Sequence, residues 1–249
     1  KIKEAINNSD IVINLIGILF ENRKQKFVNM HSDLPGLIAK YCSESEVKKF
    51  IHVSAIGANV DSKSVYQQSK FSGEQEALKN FKDTVIIRPS VVCGNEDNFT
   101  NLFAKLSLSP VIPVVKSDYK FQPILVDDVA KAIVKAIEIK KNEGKIYELG
   151  GPKIISFGDM VKSILSTIGK KRLVVDLPMP LAKIQASLFS LMPKPLLTKD
   201  QCEILNEADN IVTNNYLTLN NLDIKPVDVQ QAMSKWLWRF RAGGEFAKI

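Results

Sequence analysis

The feature that most constrains this chain is an alternation in its first half. Short apolar runs rich in β-branched residues, IVINLIG at 11–17, KFIHVSA at 49–55 and TVIIRPS at 84–90, are separated by helical stretches, one around 27–44 and one starting at Tyr66. Strands that are apolar throughout are covered on both faces, and strands joined through helices lie parallel. The expected fold class is therefore α/β, a doubly wound parallel sheet. The second half is less regular. FQPILV (121–126) leads into DDVAKAIVKAIEIKK, then KIYELGG, a helix from Ser156 with that serine as N-cap, RLVVDLP, and a mostly helical tail ending in QQAMSKWLWRF. Prolines 178, 180, 193, 195 and 226 punctuate these short elements, which read as a smaller α-rich lobe closing over the carboxyl edge of the sheet, where open α/β sheets take ligands.

A dinucleotide-binding sheet normally opens with a strand, a glycine-rich turn and a helix N-terminus that receives the pyrophosphate. No G-x-G-x-x-G or G-x-x-G-x-x-G occurs here, and the opening KIKEAINNSD reads as the end of a helix running into a strand. The fold is thus expected to be Rossmann-like, with its N-terminal strand, turn and helix upstream of Lys1.

Composition narrows the function classes. The net charge of +7 comes from lysines scattered along the chain rather than from a basic block, which argues against nucleic acid as a partner. Three cysteines, Cys42, Cys93 and Cys202, lie far apart without a C-x-x-C, the pattern of a reducing compartment, and with two histidines, His31 and His52, no metal site is expected. His52, inside an apolar strand, reads as a packed, hydrogen-bonded ring. The most apolar window, 177–197, holds four prolines and two lysines, so it is no spanning helix, and no signal peptide is visible. Within it Leu181, Ile184, Leu188, Leu191 and Met192 form a stripe opposite Lys183, Ser187 and Ser190. That stripe is expected to pack on the protein's own core, with docking on a partner or membrane surface as the alternative.

The stretch YQQSK at 66–70 carries the chemistry. A Tyr-x-x-x-Lys match arises by chance about 0.6 times in a chain of this composition, so its context must carry the claim. That context is a helix following the strand FIHVS, with Ser54 at the strand's carboxyl end, twelve residues before Tyr66. Residues four apart share a helix face, which sets the Lys70 ammonium beside the Tyr66 phenol. Lowering the phenol by about three pKa units, to make it useful at neutral pH, takes about 4 kcal/mol of preferential phenolate stabilisation, and a neighbouring cation can supply much of it. Ser54 would hydrogen-bond a substrate oxygen. The plainer reading is a tyrosine near a helix start and a solvated lysine.

Strand, Ser54 and the Tyr66/Lys70 pair resemble the short-chain dehydrogenase/reductase superfamily. The stretches VINLIG (12–17), FIHVSAIGA (50–58), IIRPSVVCGNEDNF (86–99), FQPILVDDVAKAI (121–133), YELGGP (147–152) and LTKDQCEIL (197–205) are similar to an atypical, extended branch of it: the nucleotide-binding accessory subunits of respiratory complex I and their bacterial relatives. The resemblance implies a nucleotide-binding domain at 1–115 and a substrate or partner lobe at 116–249, partly interleaved with it. It implies NADPH or NAD as a structural cofactor, with Asn14, Ile16 and Gly17 on its adenosine side and Pro89, Ser90, Val91 and Val92 along the nicotinamide. Ser54, Tyr66 and Lys70 would then be catalytic or, for Tyr66 and Lys70, ribose-binding only. The implied partners are complex I subunits, with peripheral contact to the energy-transducing membrane on its cytoplasmic or mitochondrial matrix side. The alternative is an active NADP-dependent reductase, dehydrogenase or sugar-nucleotide epimerase.

Overall fold

The computed structural model describes residues 1–140, 144–190 and 192–246. Its centre is a four-stranded parallel sheet built from β1 (Ile11–Asn14), β2 (Lys49–Val53), β3 (Thr84–Pro89) and, from the second half of the chain, Ile146–Leu149. They lie in that order, with Ile13 beside Ile51, Ile51 beside Val85, and Ile87 beside Tyr147. Every residue of β3 is buried, which explains why its centre, 85–87, is apolar on both faces. β1 is shorter than its apolar run and stands at an edge, with Ile11 and Ile13 exposed on one face.

Around the sheet lie α1 (Ile2–Ile6), α2 (Leu34–Glu44) and α3 (Val65–Asn80). There follow β4 (Val92–Cys93), α4 (Thr100–Leu106), β5 (Val111–Val115), β6 (Lys120–Phe121), β7 (Ile124–Leu125) and α5 (Val126–Glu138). The strand Ile146–Leu149 is then β8, followed by β9 (Ile155–Ser156), α6 (Phe157–Thr167), β10 (Leu173–Leu177), α7 (Met179–Phe189) and α8 (Lys199–Asn206). One sheet face buries Phe50 against Ile38, Ala39 and Ala77 of α2 and α3, while the other buries Ile51, Val85 and Ile87 against Ala132 and Ile133 of α5. A separate core of Phe103, Ile112, Met160, Ile164 and Trp236 holds the second lobe. β8 and α5 come from residues beyond 115 yet complete this sheet and its cover. The run at 121–126 divides between two short strands, and Ser156 caps α6 by accepting the Asp159 amide.

The stripe on α7 lies opposite to expectation. Leu181, Ile184, Leu188 and Met192 are exposed, and the face turned inward is made of Ala182 and Ala186, packed with Val115 and Cys202. Small side chains let α7 and α8 approach closely, which leaves the leucines outside; Leu191 lies outside the described residues. All three cysteines are buried and free, and burial pushes the Cys42 thiol up to about 12. No helix among the described residues is long and apolar enough to cross a membrane, and none of their His, Cys, Asp or Glu clusters suits a metal ion.

α3 is fixed to the sheet by charge rather than by grease. Its buried face comprises Gln67, Ser69, Lys70, Gly73, Glu74 and Ala77. Glu74 takes Arg88 of β3 in a two-point grip, Nε to Oε1 at 2.9 Å and Nη2 to Oε2 at 2.6 Å, and Arg88 also faces Glu148 of β8 at 3.8 Å. Removing one partner of such a buried pair leaves the other charge without compensation, at a cost of about 3–5 kcal/mol, whereas replacing both with apolar residues is far milder. Glu74→Ala leaves Arg88 with only the longer Glu148 contact and is expected to lose about 3 kcal/mol in urea unfolding; Glu74→Leu with Arg88→Met and with Glu148→Gln, so that no lone carboxylate stays buried, is expected to recover most of it. Equal losses in the single and triple variants would overturn this account.

Candidate functional site

The carboxyl end of β2 delivers Ser54, and the chain re-enters a helix at α3. Ser64 is the N-cap, its hydroxyl accepting the Gln67 amide at 3.2 Å. A second cap comes from far along the chain: the Asp200 carboxylate of α8 accepts the Ser64 hydroxyl at 2.8 Å, the Val65 amide at 2.7 Å and the Tyr66 amide at 3.3 Å. The helix start needs partners for just these amides, and a carboxylate there also suits the helix dipole. Tyr66, Lys70 and Glu74 then fall four apart on one face of α3.

Lys70 is 5% exposed, and its ammonium donates to the Val53 carbonyl at 3.3 Å, immediately before Ser54. Burial pulls its pKa down to about 8, partly offset by Glu74. Burial, reinforced by the Asp200 charge, pushes Tyr66 up to about 12, so the protein's own groups do not acidify the phenol. Its ring is held edge-on by Phe27, at 5.7 Å between centroids, and by His31, at 5.2 Å.

His31 was not singled out by the sequence as a site residue, yet it organises this corner. It sits in a π-helical turn, Val28–Asp33, that runs straight into α2. Its Nε2 accepts the Ile18 amide at 2.9 Å, which leaves Nδ1 to donate to Ser69 Oγ at 3.0 Å; Ser69 in turn donates to the Tyr66 carbonyl. The ring is thus neutral, and burial, with the nearby Lys70 charge, lowers its pKa to about 4. Gly73 lets α3 pass this turn, because a Cβ there would overlap the His31 carbonyl.

The residues foreseen for the site divide into two groups. Ser54, Tyr66, Pro89, Ser90, Val91 and Val92 line one cavity of about 770 Å³ between the sheet edge and the second lobe. Ser54 Oγ is buried there with no partner among the described residues. Pro89 and Val91 offer their carbonyls to the Ile56 and Ile124 amides, while the Ser90 amide donates to Leu149 and its hydroxyl to Asn210 Oδ1. Asn14, Ile16, Gly17 and Lys70 are not part of that lining. Asn14 is buried, accepting the Ile16 amide at 3.0 Å and donating to His52 Nδ1 at 3.1 Å, so it shapes the end of β1. Gly17 faces Lys70 and His31: a Cβ there would stand 3.5 Å from the Lys70 Nζ and 3.6 Å from the His31 Nε2. Asp200, Asn210 and the phenylalanines of the cavity carried no sequence signal as site residues, although T-x-x-Q at 198–201 does mark the capping box that starts α8.

This arrangement has known likenesses. The chain is 33% identical over 243 residues to mitochondrial NADH dehydrogenase (ubiquinone) 1 alpha subcomplex subunit 9 of Mus musculus, across 96% of this chain and 64% of the mouse protein. The subunit of the same name in Dictyostelium discoideum is 29% identical, across 100% of this chain and 70% of the relative. The chain therefore spans a little under two thirds of the mouse relative's length. A solved dTDP-4-dehydrorhamnose reductase of Bacillus anthracis, in complex with NADP, shares the fold with a TM-score of 0.68 at 17% identity, over 94% of this chain and 83% of that one. The family described as the RmlD substrate binding domain matches residues 20–241, across both lobes, and the chain belongs to that family.

Proposed function

We propose that this chain binds a nicotinamide dinucleotide, NADPH or NAD, as a fixed part of its structure, and that it serves NADH:quinone oxidoreductase as an accessory subunit supporting assembly or stability. The observation that carries this reading is the likeness, across 96% of this chain, to a subunit named for NADH dehydrogenase. Burial, reinforced by the Asp200 charge, raises the Tyr66 phenol, which suits a hydrogen-bonding role better than proton transfer at pH 7. Tyr66 and Lys70 are then hydrogen-bonding residues for a ribose.

The residues at hand fit the nicotinamide and ribose half of such a cofactor. Tyr66 lines the cavity, and Gly17 leaves open the approach to Lys70 that a side chain would narrow. Pro89, Ser90, Val91 and Val92 form a stiff wall, tied into the protein through their own backbone, against which a flat ring can pack. Asn14, Ile16 and Gly17 would border the adenosine side. When bound, the nicotinamide supplies hydride-transfer chemistry and, in its oxidised form, a positive charge near the phenol. The partner reading is supported by similarity to subunits named for NADH dehydrogenase and by the exposed apolar stripe on α7, a face suited to a neighbouring subunit or the membrane edge. In this reading the chain works at the periphery of the energy-transducing membrane, on the matrix or cytoplasmic side.

A second reading, an active NADP-dependent reductase, dehydrogenase or epimerase, is favoured by the size of the cavity, which exceeds what a nicotinamide ring fills. Tyr66→Phe separates the two readings. The structural-cofactor reading expects the variant to retain nucleotide on native mass spectrometry and to show no change in NADPH oxidation. Loss of a measurable turnover in that variant would establish the rival.

Lys70 gives a sharper test because binding and folding pull against each other. It titrates near 10.5 unfolded and about 8 folded, so the unfolded chain holds more protons between these values and stability rises with pH across that window. Below pH 8 the cost of burying the charge is present in full. Lys70→Met is expected to stabilise the protein by about 3 kcal/mol at pH 7, with the gain shrinking above pH 8, and to weaken nucleotide binding at least tenfold. Urea unfolding at pH 7 and pH 9, with NADPH titration alongside, checks both halves; a destabilised variant with normal affinity would refute them. For the partner, the tagged protein in gently solubilised membranes is expected to migrate with assembled NADH dehydrogenase on native gels. Migration on its own beside intact complex would end that proposal.

A further inference from the structure

We propose that the cavity beside Ser54 takes a neutral ligand with one carbonyl or hydroxyl head and an aliphatic or prenyl tail, in place of a sugar nucleotide. This deepens the proposed site and rests on it only for where the polar head lies; the chemistry of the walls stands independently.

The lining is polarised. At one end are Ser54 and Tyr66, and of the buried polar atoms without a partner among the described residues, Ser54 Oγ alone faces this space. The body is mostly apolar, walled by Phe99, Leu102, Phe103, Phe121, Phe157 and Leu205, with Asn98, Tyr119 and Gln185 as its neutral polar residues. No lysine, arginine or histidine lines it among the described residues, and its only charged residues are Asp97 and Asp200.

Both carboxylates are committed to backbone. Asp97 accepts the Gly94 amide at 3.0 Å, the Phe99 amide at 2.8 Å and the Thr100 hydroxyl at 2.6 Å, and Asp200 caps α3. Asn210 is engaged by Ser90 and donates to the Ile56 carbonyl, and Gln201 accepts the Thr198 amide. A diphosphate entering here would find no cation and two fixed negative charges, and a sugar would lose its water with few groups left to replace it. A hydrocarbon tail gains from burial along the whole body, while a single oxygen at the head gives Ser54 Oγ the partner it lacks.

The test uses the purified chain and a series of straight-chain methyl ketones from butan-2-one to decan-2-one, titrated by calorimetry, with UDP-glucose as the sugar-nucleotide probe. Affinity is expected to rise about fourfold per added methylene until the body is filled. UDP-glucose is expected neither to bind measurably nor to displace decan-2-one. Ser54→Ala should weaken decan-2-one several-fold without changing the increment per methylene. Leu102→Arg, on a half-buried wall position, should abolish the increment while NADPH binding stays intact. A flat series, displacement by UDP-glucose, or an unchanged increment in Leu102→Arg overturns the proposal. A steep series in a protein that fails to bind NADPH would instead overturn the nucleotide reading and leave the tail site standing.

Discussion

A guanidinium on the central strand, gripped by a carboxylate on the neighbouring helix, sets the geometry of everything near the sheet's edge. Arg88 and Glu74 are both almost fully removed from water, and their two short bonds fix the rotation and the axial position of α3 on the sheet. An apolar interface would tolerate small sliding, but a bidentate pair has one good geometry. Because Tyr66 and Lys70 precede Glu74 by two turns and one turn, that single contact also determines where phenol and ammonium fall relative to Ser54. Burying these charges is expensive, and an apolar pair of similar shape would serve stability about as well. Positional precision at the end of β2 is what the ion pair contributes.

The second lobe acts on the same helix from its other end. Asp200 satisfies backbone amides that the first turn of α3 leaves unpaired, and in doing so it tethers α8 to α3 across 134 residues of chain. The tether carries an electrostatic consequence. Burial is the main influence that disfavours a phenolate at Tyr66, and the carboxylate that stabilises the helix adds to it. Stability and readiness for proton transfer are opposed here in one residue.

The sequence made the sheet legible because a buried parallel strand leaves a simple trace, and β3, with no exposed residue, leaves the clearest. The period of four made Tyr66, Lys70 and their shared face legible too. What escaped was set by long-range contact or by an inverted pattern. Asp200 and His31 act on α3 from other elements, and nothing local to either residue announces it. On α7 the rule that large apolar residues point inward failed, since close approach to α8 selected alanines for the interface and left Leu181, Ile184 and Leu188 outside. α3 would mislead in the same way if read by hydropathy, because its buried face is mostly polar. Proximity on a helix face gives no measure of burial, and burial is the larger influence on both Tyr66 and Lys70.

The fold locates the site, and only the walls say what enters it. A parallel sheet with a lobe over its carboxyl edge accommodates many ligands, and a solved protein of this architecture is named for a dTDP-linked sugar. Recognition of such a compound rests on cations that meet its diphosphate and on hydrogen-bonding groups that replace the water lost from its sugar. In this chain the acids of the cavity are turned into helix and loop caps, and Asn210 and Gln201 bond backbone groups of the protein itself. Phenylalanine and leucine occupy the remaining wall. The end of the cavity at Ser54 and its apolar body therefore carry different kinds of information. The first has its hydroxyl and phenol set by strand and helix geometry, and the second has a chemistry that the fold does not dictate.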